Sequence, residues 1–254
     1  MERKQSKNLN QSFTDRPKIN NDQNNYDAEQ NNILAKSHFD FKGMENFQFK
    51  IILLGEAGVG KSSIIRKFIT NEFKTIYQAT IGVEFKTKDI YIGNSYSVKL
   101  NIWDTCGQEK FRAITRQYYN NSNGVFLIYD LSDKSSFEKL DVWLNDIKDN
   151  MSNDIIIFII GNKLDIKNRD ISISEEGKIF ANKNKLPYYE ISAKNGTGVY
   201  NIFEKISRQI IEQIKEQRMI KEEQNKQFNR KLTLDNYNKD RGKVEKSESS
   251  IHCC

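Results

Sequence analysis

A glycine-rich stretch has the residue types needed to bind phosphate. Gly55–Ser63 reads GEAGVGKSS and fits the pattern Gly-x-x-x-x-Gly-Lys-Ser. Glycines let backbone N–H groups wrap around an anion, and a following helix adds the positive end of its dipole. We expect Lys61 to bridge the outer phosphates of a nucleotide and the Ser62 hydroxyl to bind Mg²⁺. The loop residues expected at the nucleotide are Glu56, Ala57, Gly58, Val59, Gly60, Lys61, Ser62 and Ser63. This loop alone leaves the choice between ATP and GTP open.

Two polar motifs further along the chain could select the base. Asn162, Lys163 and Asp165 lie in GNKLD, directly after an apolar run, and SAK (Ser192–Lys194) follows the last strand pattern. A carboxylate at Asp165 can accept hydrogen bonds from N1–H and the 2-amino group of guanine, whereas adenine would leave it unpaired. A backbone N–H of SAK could donate to guanine O6. The residues expected at the base are Asn162, Lys163, Asp165, Ser192, Ala193 and Lys194. These motifs favour GTP; an ATPase or a kinase, which would lack NKLD, is the alternative.

The elements that must position these motifs are apolar strands alternating with amphipathic helices. Strand patterns are FQFKIILLG, the hairpin EFKTKDIYIGNSYSVKLNIWD with its turn at Gly93-Asn94, GVFLIYD, DIIIFIIG and PYYEIS. Helical spacing connects Ile64, Ile65, Phe68 and Ile69, then Phe137, Leu140, Leu144 and Ile147, then SEEGKIFANK, then Phe203, Ile206, Ile210 and Ile214. This alternation predicts an α/β, doubly wound, mostly parallel six-stranded sheet with helices on both faces and one antiparallel edge hairpin.

Composition divides the chain into three parts. Residues 1–46 are rich in Asn, Gln, Lys and Asp without sustained periodicity, so we predict a disordered extension. Residues 47–217 contain every strand and helix pattern and are predicted to form one domain. Residues 218–254 are polar again. The last helix could continue past Met219, but the charge and Asn content lead us to predict a flexible tail that ends in Cys253-Cys254.

Composition also argues against several classes of protein. The net charge of +6 is spread over 254 residues without a basic run, so no nucleic-acid partner is expected. The longest apolar stretch, Ile155–Ile160, is too short to span a bilayer. We expect neither a secretory signal nor myristoylation, because the N-terminus lacks an apolar region and a Gly after Met1. Three cysteines, two of them adjacent, are not a disulfide framework and indicate a reducing intracellular compartment.

Five motifs taken together resemble those of the small Ras-like GTPases: GEAGVGKSS, TIGVEF, WDTCGQEKF, GNKLD and SAK. The segments IGVEF, KLNIWDT, FRAITRQYY and LIYDLS and the final Cys-Cys are similar to the Rab group. A Ras or Rho relative is the alternative that these segments disfavour. The resemblance implies the P-loop GTPase fold, Mg²⁺-dependent binding of GTP and GDP, and slow hydrolysis of GTP to GDP and phosphate. It also implies a membrane-anchored switch that recruits effector proteins in vesicle trafficking.

The resemblance assigns roles to residues around the phosphates. Thr80 would bind Mg²⁺ and the γ-phosphate in the GTP state, beside Ser62, and Asp104 would reach the metal through water. The backbone N–H of Gly107 would sense the γ-phosphate, and Gln108 would position the attacking water. The catalytic set is Lys61, Gly107 and Gln108.

Other roles implied by the resemblance fall at the base and on the surface. Phe73 matches an aromatic that packs on the guanine face, and a core phenylalanine at the end of a helix would fit the same pattern. Lys163 would lie along the base, and Ala193 would contact O6. The aromatic triad expected to face effectors is Phe85, Trp103 and Tyr118, and a plain core would also place aromatics at such positions.

The chain lacks one residue that would speed the reaction. Relatives with a catalytic arginine in their own chain place it three residues before the switch threonine, where this chain has Tyr77. We therefore expect hydrolysis to be slow until a partner inserts an arginine, an effect of about 10³–10⁵ in rate. The expected partners are GTPase-activating proteins, exchange proteins and effectors, acting on a monomer.

Cys106 stands where the family usually has Ala, beside the predicted γ-phosphate sensor. Cysteine is one sulfur larger and behaves mostly as a small hydrophobe, so the chemistry could be intact. It could also crowd Gln108 and its water, or be oxidised when no nucleotide is bound. We expect retained GTP and GDP binding with altered hydrolysis; a protein that holds nucleotide without hydrolysing it is the rival function.

The final Cys253-Cys254 has three interpretations. Adjacent ligands lack the spacing of a zinc knuckle, and a disulfide between neighbours is strained and disfavoured in a reducing compartment. Double prenylation, which the Rab-type ending implies, fits an exposed end, because two lipid chains hold a protein on a membrane where one binds reversibly. A prenyl transferase and a prenyl-binding chaperone are then expected partners. The expected location is the cytoplasmic face of an intracellular membrane, in exchange with the cytosol.

Overall fold

The computed structural model describes residues 43–76, 78–80, 82–107 and 112–248, with only the backbone of 112, 114 and 232–248. The strands are β1 (Glu45–Leu54), β2 (Val83–Ile92), β3 (Tyr96–Thr105), β4 (Gly124–Asp130), β5 (Ile156–Asn162) and β6 (Tyr188–Glu190). The helices are α1 (Lys61–Thr70), α2 (Arg112–Arg116), α3 (Lys134–Glu138), α4 (Leu140–Asn150), α5 (Ile171–Lys183) and α6 (Val199–Glu248). The strands form one sheet in the order β2-β3-β1-β4-β5-β6.

The sheet has the predicted mixed topology. β2 and β3 pair antiparallel through a hairpin, and the other neighbouring strands pair parallel. The predicted turn at Gly93-Asn94 closes the hairpin, where Gly93 has a φ of 57° that suits glycine. β2 lies at the sheet edge with much of its length exposed, whereas every residue of β4 and β5 is buried. The fold class expected from the sequence is confirmed.

Helices cover both faces of the sheet because strand side chains alternate between the faces. Ile51 and Leu53 of β1 belong to one apolar cluster with α1 and α6, whereas Ile52 and Leu54 belong to a second cluster with α4 and α5. Phe203 of α6 lies in the first cluster and stacks on Phe68 of α1, with ring centroids 3.8 Å apart. This two-sided burial fixes the strand register and therefore the positions of the loops at the carboxyl ends of the strands.

Local sequence explains where the helices on the second face begin. Asp133 and Asp170 precede α3 and α5, and each side chain accepts a hydrogen bond from the backbone N–H two residues later. The sequence pattern joined Phe137 to Leu140 in one helix; in the structure Lys139 separates α3 from α4. Apolar spacing alone did not reveal this break, because both short helices turn the same face toward the sheet.

The last helix differs from the prediction. We expected the domain to end near Gln217 and a flexible tail to follow, but α6 continues to Glu248. The extra residues are rich in Lys, Glu, Gln and Arg, which lose little side-chain freedom in a helix. Arg218 also pairs with Glu45 and lies over the Phe47 ring, so the helix still contacts β1 beyond Ile211, the last buried residue among its described side chains.

Several expectations concern residues outside this description. They are residues 1–42 of the predicted disordered extension, Tyr77, Gln108 and the terminal cysteines Cys253 and Cys254. Residues 45 and 46, which we also expected in that extension, instead begin β1, because their backbone pairs with β3. Among the described residues, no helix has both the length and the apolar content needed to cross a membrane.

Removing residues 232–254 is expected to lower the helical circular-dichroism signal while leaving the melting temperature unchanged. The removed part of α6 is helical, and the helix has already left the apolar core by Met219, which is 69% exposed. Far-ultraviolet spectra and thermal melts of the full and shortened chains test this. An unchanged helical signal would mean that the prediction of a flexible tail was right.

Candidate functional site

The glycine-rich loop lies between β1 and α1 and turns its backbone toward one cavity. Gly60 begins α1 with a φ of 98°, a conformation that suits glycine, and a Cβ there would lie 2.4 Å from the Asn162 Nδ2 atom. Backbone N–H groups at the start of α1 have no partner within the helix, so they are available to an anion. The loop therefore has the geometry that phosphate binding requires.

Lys61 is a buried cation at the centre of this loop. Its Nζ donates to the carbonyl oxygens of Gly55 at 2.9 Å and Glu56 at 2.8 Å. Burial lowers the pKa of Lys61 to about 8, although the nearby acidic groups of Asp104, Cys106 and Glu56 oppose this shift. An ammonium has three N–H donors, so one remains for a ligand, and an anionic phosphate would stabilise the charged form.

Three oxygen-bearing side chains form a candidate metal centre. The hydroxyls of Ser62 and Thr80 hydrogen-bond each other at 2.8 Å, although eighteen positions separate them in the chain. Asp104 is buried beside them; desolvation raises its pKa, while Ser62 and Lys61 oppose that shift. Its Oδ1 atom has no hydrogen-bond partner among the described residues. A buried oxygen of this kind suits a cation, and Mg²⁺ takes oxygen ligands, so these residues fit the predicted ion.

The described residues do not supply a complete protein cage for a metal. They contain no group of three or more His, Cys, Asp or Glu side chains that could hold an ion. Mg²⁺ usually keeps several waters and binds through one or two carboxylates together with substrate phosphates. One carboxylate and two hydroxyls beside a phosphate-binding loop match that habit.

Gly107 lies directly against the phosphate loop. A Cβ at this position would be 2.4 Å from Lys61 Nζ and 2.5 Å from the carbonyl oxygen of Glu56. Its neighbour Cys106 is buried, lines the same cavity, and donates its backbone N–H to the Gly82 carbonyl at 3.1 Å. That backbone bond joins the segment after β3 to the segment before β2.

Asn162, at the end of β5, connects two loops behind the cavity. Its side-chain Nδ2 donates to the Val59 carbonyl at 2.8 Å, and its Oδ1 accepts the backbone N–H of Ala193 at 3.1 Å. All three residues are buried. The amide therefore holds the phosphate loop and SAK in register, and the Ala193 N–H, expected at guanine O6, already has one acceptor. An O6 contact from Ala193 would be a shared, three-centre bond.

The candidate base-reading carboxylate is held from two sides. Asp165 Oδ1 accepts the Ser192 hydroxyl at 2.6 Å, and its Oδ2 lies 3.8 Å from Lys194 Nζ. Arg169 donates to the carbonyls of Leu164 and Ile166, at 3.0 and 3.1 Å, which flank Asp165 in the chain. The carboxylate is therefore oriented before any ligand arrives.

Two residues of this region were missed by the sequence analysis. Asp130 at the end of β4 pairs with Lys163, with 2.6 Å between Nζ and Oδ2, and its Oδ1 accepts two bonds from Ser132. An acidic residue closing a buried strand in LIYDLS was the available signal. No sequence signal indicated Arg169, because its hydrogen bonds depend on how the loop turns the carbonyls of Leu164 and Ile166 toward it.

A cavity of about 220 Å³ collects most of the predicted nucleotide site. The predicted residues that line it are Ala57, Gly58, Gly60, Lys61, Ser62, Ser63, Phe73, Thr80, Gly107, Asn162, Lys163, Asp165, Ala193 and Lys194. Glu56, Val59 and Ser192 do not line it: Val59 lies in the core, Ser192 is buried behind Asp165, and the Glu56 side chain turns toward Trp143.

The three aromatic residues predicted to face effectors form a contiguous row. Trp103 lies between Phe85 and Tyr118, with ring centroids 5.1 Å from each. Phe85 is 48% exposed, so the row is not simply core.

Comparison with known proteins gives a consistent picture. The model of the Ras family matches residues 50–212, which include every predicted nucleotide-site residue. GTP-binding protein YPT1 of Saccharomyces cerevisiae is 37% identical over 182 residues, which cover 72% of this chain and 88% of that protein. Ras-related protein Rab-18 of Lymnaea stagnalis is 44% identical over 165 residues, covering 64% and 80%. Ras-related protein Rab11E of Lotus japonicus is 41% identical over 165 residues, covering 65% and 75%.

Binding of GDP at about pH 8 is expected to take up about half a proton, because Lys61 is half protonated before binding and fully protonated after it. Calorimetric titrations in buffers of different ionisation enthalpy measure this uptake.

Two controls separate Lys61 from other titrating groups. The uptake should vanish at about pH 6, where the lysine is already charged, and in Lys61→Arg, whose guanidinium stays charged throughout. Equal uptake at both pH values in the wild type would show that the lysine is not the group that gains the proton.

Proposed function

Since this chain belongs to the Ras family and is a small GTPase of the Rab group, which binds guanine nucleotides, we propose that it is a membrane-anchored switch in vesicle trafficking. In this proposal GTP is bound with Mg²⁺ and hydrolysed slowly to GDP and phosphate. Effector proteins bind the GTP state and leave after hydrolysis.

One observation carries the proposal: a single cavity is lined at one end by a buried ammonium and at the other by an oriented carboxylate. Lys61 is available to the phosphates, and Asp165, held by Ser192, is available to the base. A triphosphate with a guanine base is the nucleotide that complements both charges. Adenine offers no pair of donors to a carboxylate, so Asp165 would be desolvated with only Ser192 and Lys194 as partners.

The chain's own residues would divide the chemistry as follows. Lys61 and the backbone N–H groups of the loop would hold the phosphates and stabilise the negative charge that develops on them during hydrolysis. The N–H of Gly107 would face the γ-phosphate. Ser62 and Thr80 would hold Mg²⁺ directly and Asp104 through water. When bound, the ion would neutralise charge on the β- and γ-phosphate oxygens. Gln108 is proposed to position the attacking water.

Switching follows from the position of Thr80. Its hydroxyl already meets Ser62, so a ligand that binds both would fix the segment before β2. The same segment is joined to Cys106 through Gly82, which links it to Gly107. Loss of the γ-phosphate would release both segments beside the aromatic row Phe85, Trp103 and Tyr118, which we propose as the effector surface. The low intrinsic rate expected with Tyr77 leaves timing to activating and exchange proteins.

Membrane attachment is proposed to occur through prenyl groups on Cys253 and Cys254. A prenyl transferase would add them, and a prenyl-binding chaperone would carry the protein between the cytosol and the cytoplasmic face of its membrane. Each buried CH₂ adds about 0.8 kcal/mol to membrane binding, so a second chain converts reversible binding into stable anchoring.

Replacing Asp165 with Asn is expected to weaken GTP binding about 10²–10⁴-fold, because two hydrogen bonds to a charged acceptor are lost. Binding of xanthosine triphosphate should improve, since the Asn amide can donate to the oxygen that replaces the 2-amino group. Competition against a fluorescent GDP analogue, with GTP, xanthosine triphosphate and ATP as competitors, measures both changes.

The matched control is Glu176→Gln, which makes the same kind of change at an exposed acid paired with Lys134. It should leave all three affinities unaltered. Equal competition by ATP and GTP in the wild type would remove the proposed base selection.

Replacing both Cys253 and Cys254 with Ser is expected to move the protein from the membrane pellet to the soluble fraction of cells. Each single replacement should give partial, reversible pelleting, because one chain remains. Fractionation and radiolabelled prenyl incorporation provide the measurement. Membrane pelleting that persists in the double variant would exclude lipid as the anchor.

A further inference from the structure

Glu56 does more in this structure than contribute an N–H to the phosphate loop. Its Oε1 accepts a hydrogen bond from the indole Nε1–H of Trp143 at 2.9 Å, across eighty-seven positions of sequence. Its main-chain oxygen accepts from Lys61 Nζ at 2.8 Å and lies where a side chain on Gly107 would have to go. One residue therefore connects α4, the buried ammonium and the γ-phosphate sensor.

Trp143 is suited to hold Glu56 in place. It is fully buried on α4 within the apolar cluster of the second sheet face, so packing on every side fixes its ring. An indole N–H can only donate and a carboxylate can only accept, so the direction of the hydrogen bond is fixed. Because the acceptor is a carboxylate, the bond is charge-assisted. The phosphate loop is therefore held by a side chain of α4 in addition to the hydrogen bonds within the loop itself.

One turn further along α4, Asp146 holds the end of α2. Asp146 is buried and accepts hydrogen bonds from the Arg116 guanidinium, through Nε at 2.8 Å, and from the Tyr119 hydroxyl at 2.8 Å. Arg116 is the last residue of α2, which follows the segment that begins at Gly107. α4 thus contacts the phosphate loop through the Trp143–Glu56 bond and the end of α2 through the Asp146–Arg116 bond.

We propose that Trp143 and Asp146 are positioning residues for GTP binding and hydrolysis, with α4 as the fixed support that holds both the phosphate loop and the end of α2. The inference rests on the proposed phosphate-binding role of the loop. Trp143 acts through Glu56 on Lys61, so it governs how tightly the phosphates are held. Asp146 acts through Arg116 on α2, which follows Gly107 and Gln108 in the chain, so it governs hydrolysis.

The test measures GDP release and single-turnover GTP hydrolysis on the full chain with Mg²⁺, using Trp143→Phe to remove the donor while keeping an aromatic ring. GDP release should rise about 10-fold, as expected for loss of a hydrogen bond to a charged group. Glu56→Ala should raise release similarly, and the double variant should release no faster than Glu56→Ala, because both changes remove one contact. Glu56→Gln, which keeps an acceptor, should release more slowly than Glu56→Ala.

Asp146→Asn keeps the side-chain shape and weakens the pairing with Arg116. It should slow hydrolysis about 10-fold while changing GDP release less than 3-fold, the reverse of the split expected for Trp143→Phe. Ile147→Val, a buried apolar change on the same helix, is the control: it should lower the melting temperature and leave both rates unaltered.

Additive effects of the Trp143 and Glu56 changes, or variants that alter only the melting temperature, would overturn the inference. A change of both rates by the same factor in Trp143→Phe and Asp146→Asn would do so as well. Failure of the proposed function is distinguishable, because wild-type protein would then show no preference for GTP over ATP.

Discussion

The site depends on a positive charge that the folded protein cannot fully stabilise by itself. Lys61 is buried, so the charged form is disfavoured and its pKa falls to about 8. Because the pKa is below its unfolded value, stability rises with pH from about 8 toward the ordinary lysine value near 10.5. An anion bound at the remaining N–H donor would replace the stabilisation of the positive charge that water gives to an exposed lysine. The surrounding glycines, carbonyls and α1 all serve to place that donor where a phosphate can reach it.

A second constraint is that the site is assembled from loops that are distant in sequence. Parallel strands bring the ends of β1, β5 and β6 to one edge of the sheet. Asn162 then ties the phosphate loop to SAK through Val59 and Ala193. The buried side-chain amide donates to one loop and accepts from the other. Breaking these hydrogen bonds would leave buried polar groups unpaired, so neither loop can move freely. Phosphate and base recognition are therefore mechanically joined.

Much of this arrangement could be predicted from the sequence because the motifs are short and each lies beside an apolar strand. The mostly parallel sheet, the edge hairpin and most cavity residues follow from alternation and from the rule that ligands bind at the carboxyl ends of strands. Two partnerships did not follow. Trp143 and Glu56 are far apart in the sequence, and the bonds of Arg169 to the carbonyls beside Asp165 depend on how their shared loop turns. Polar composition also suggested a flexible tail where helix propensity and the anchor at Arg218 continue α6.

The continuity of α6 affects how the end of the chain is aimed. From Met219 to Glu248 an unbroken helix extends about 45 Å at 1.5 Å per residue. A flexible linker averages over directions, so gaining or losing a residue only alters its reach slightly. In a helix each inserted or deleted residue rotates everything beyond it by about 100° around the axis. Inserting or deleting a residue in this segment would therefore change the direction in which the helix presents whatever is attached at its end.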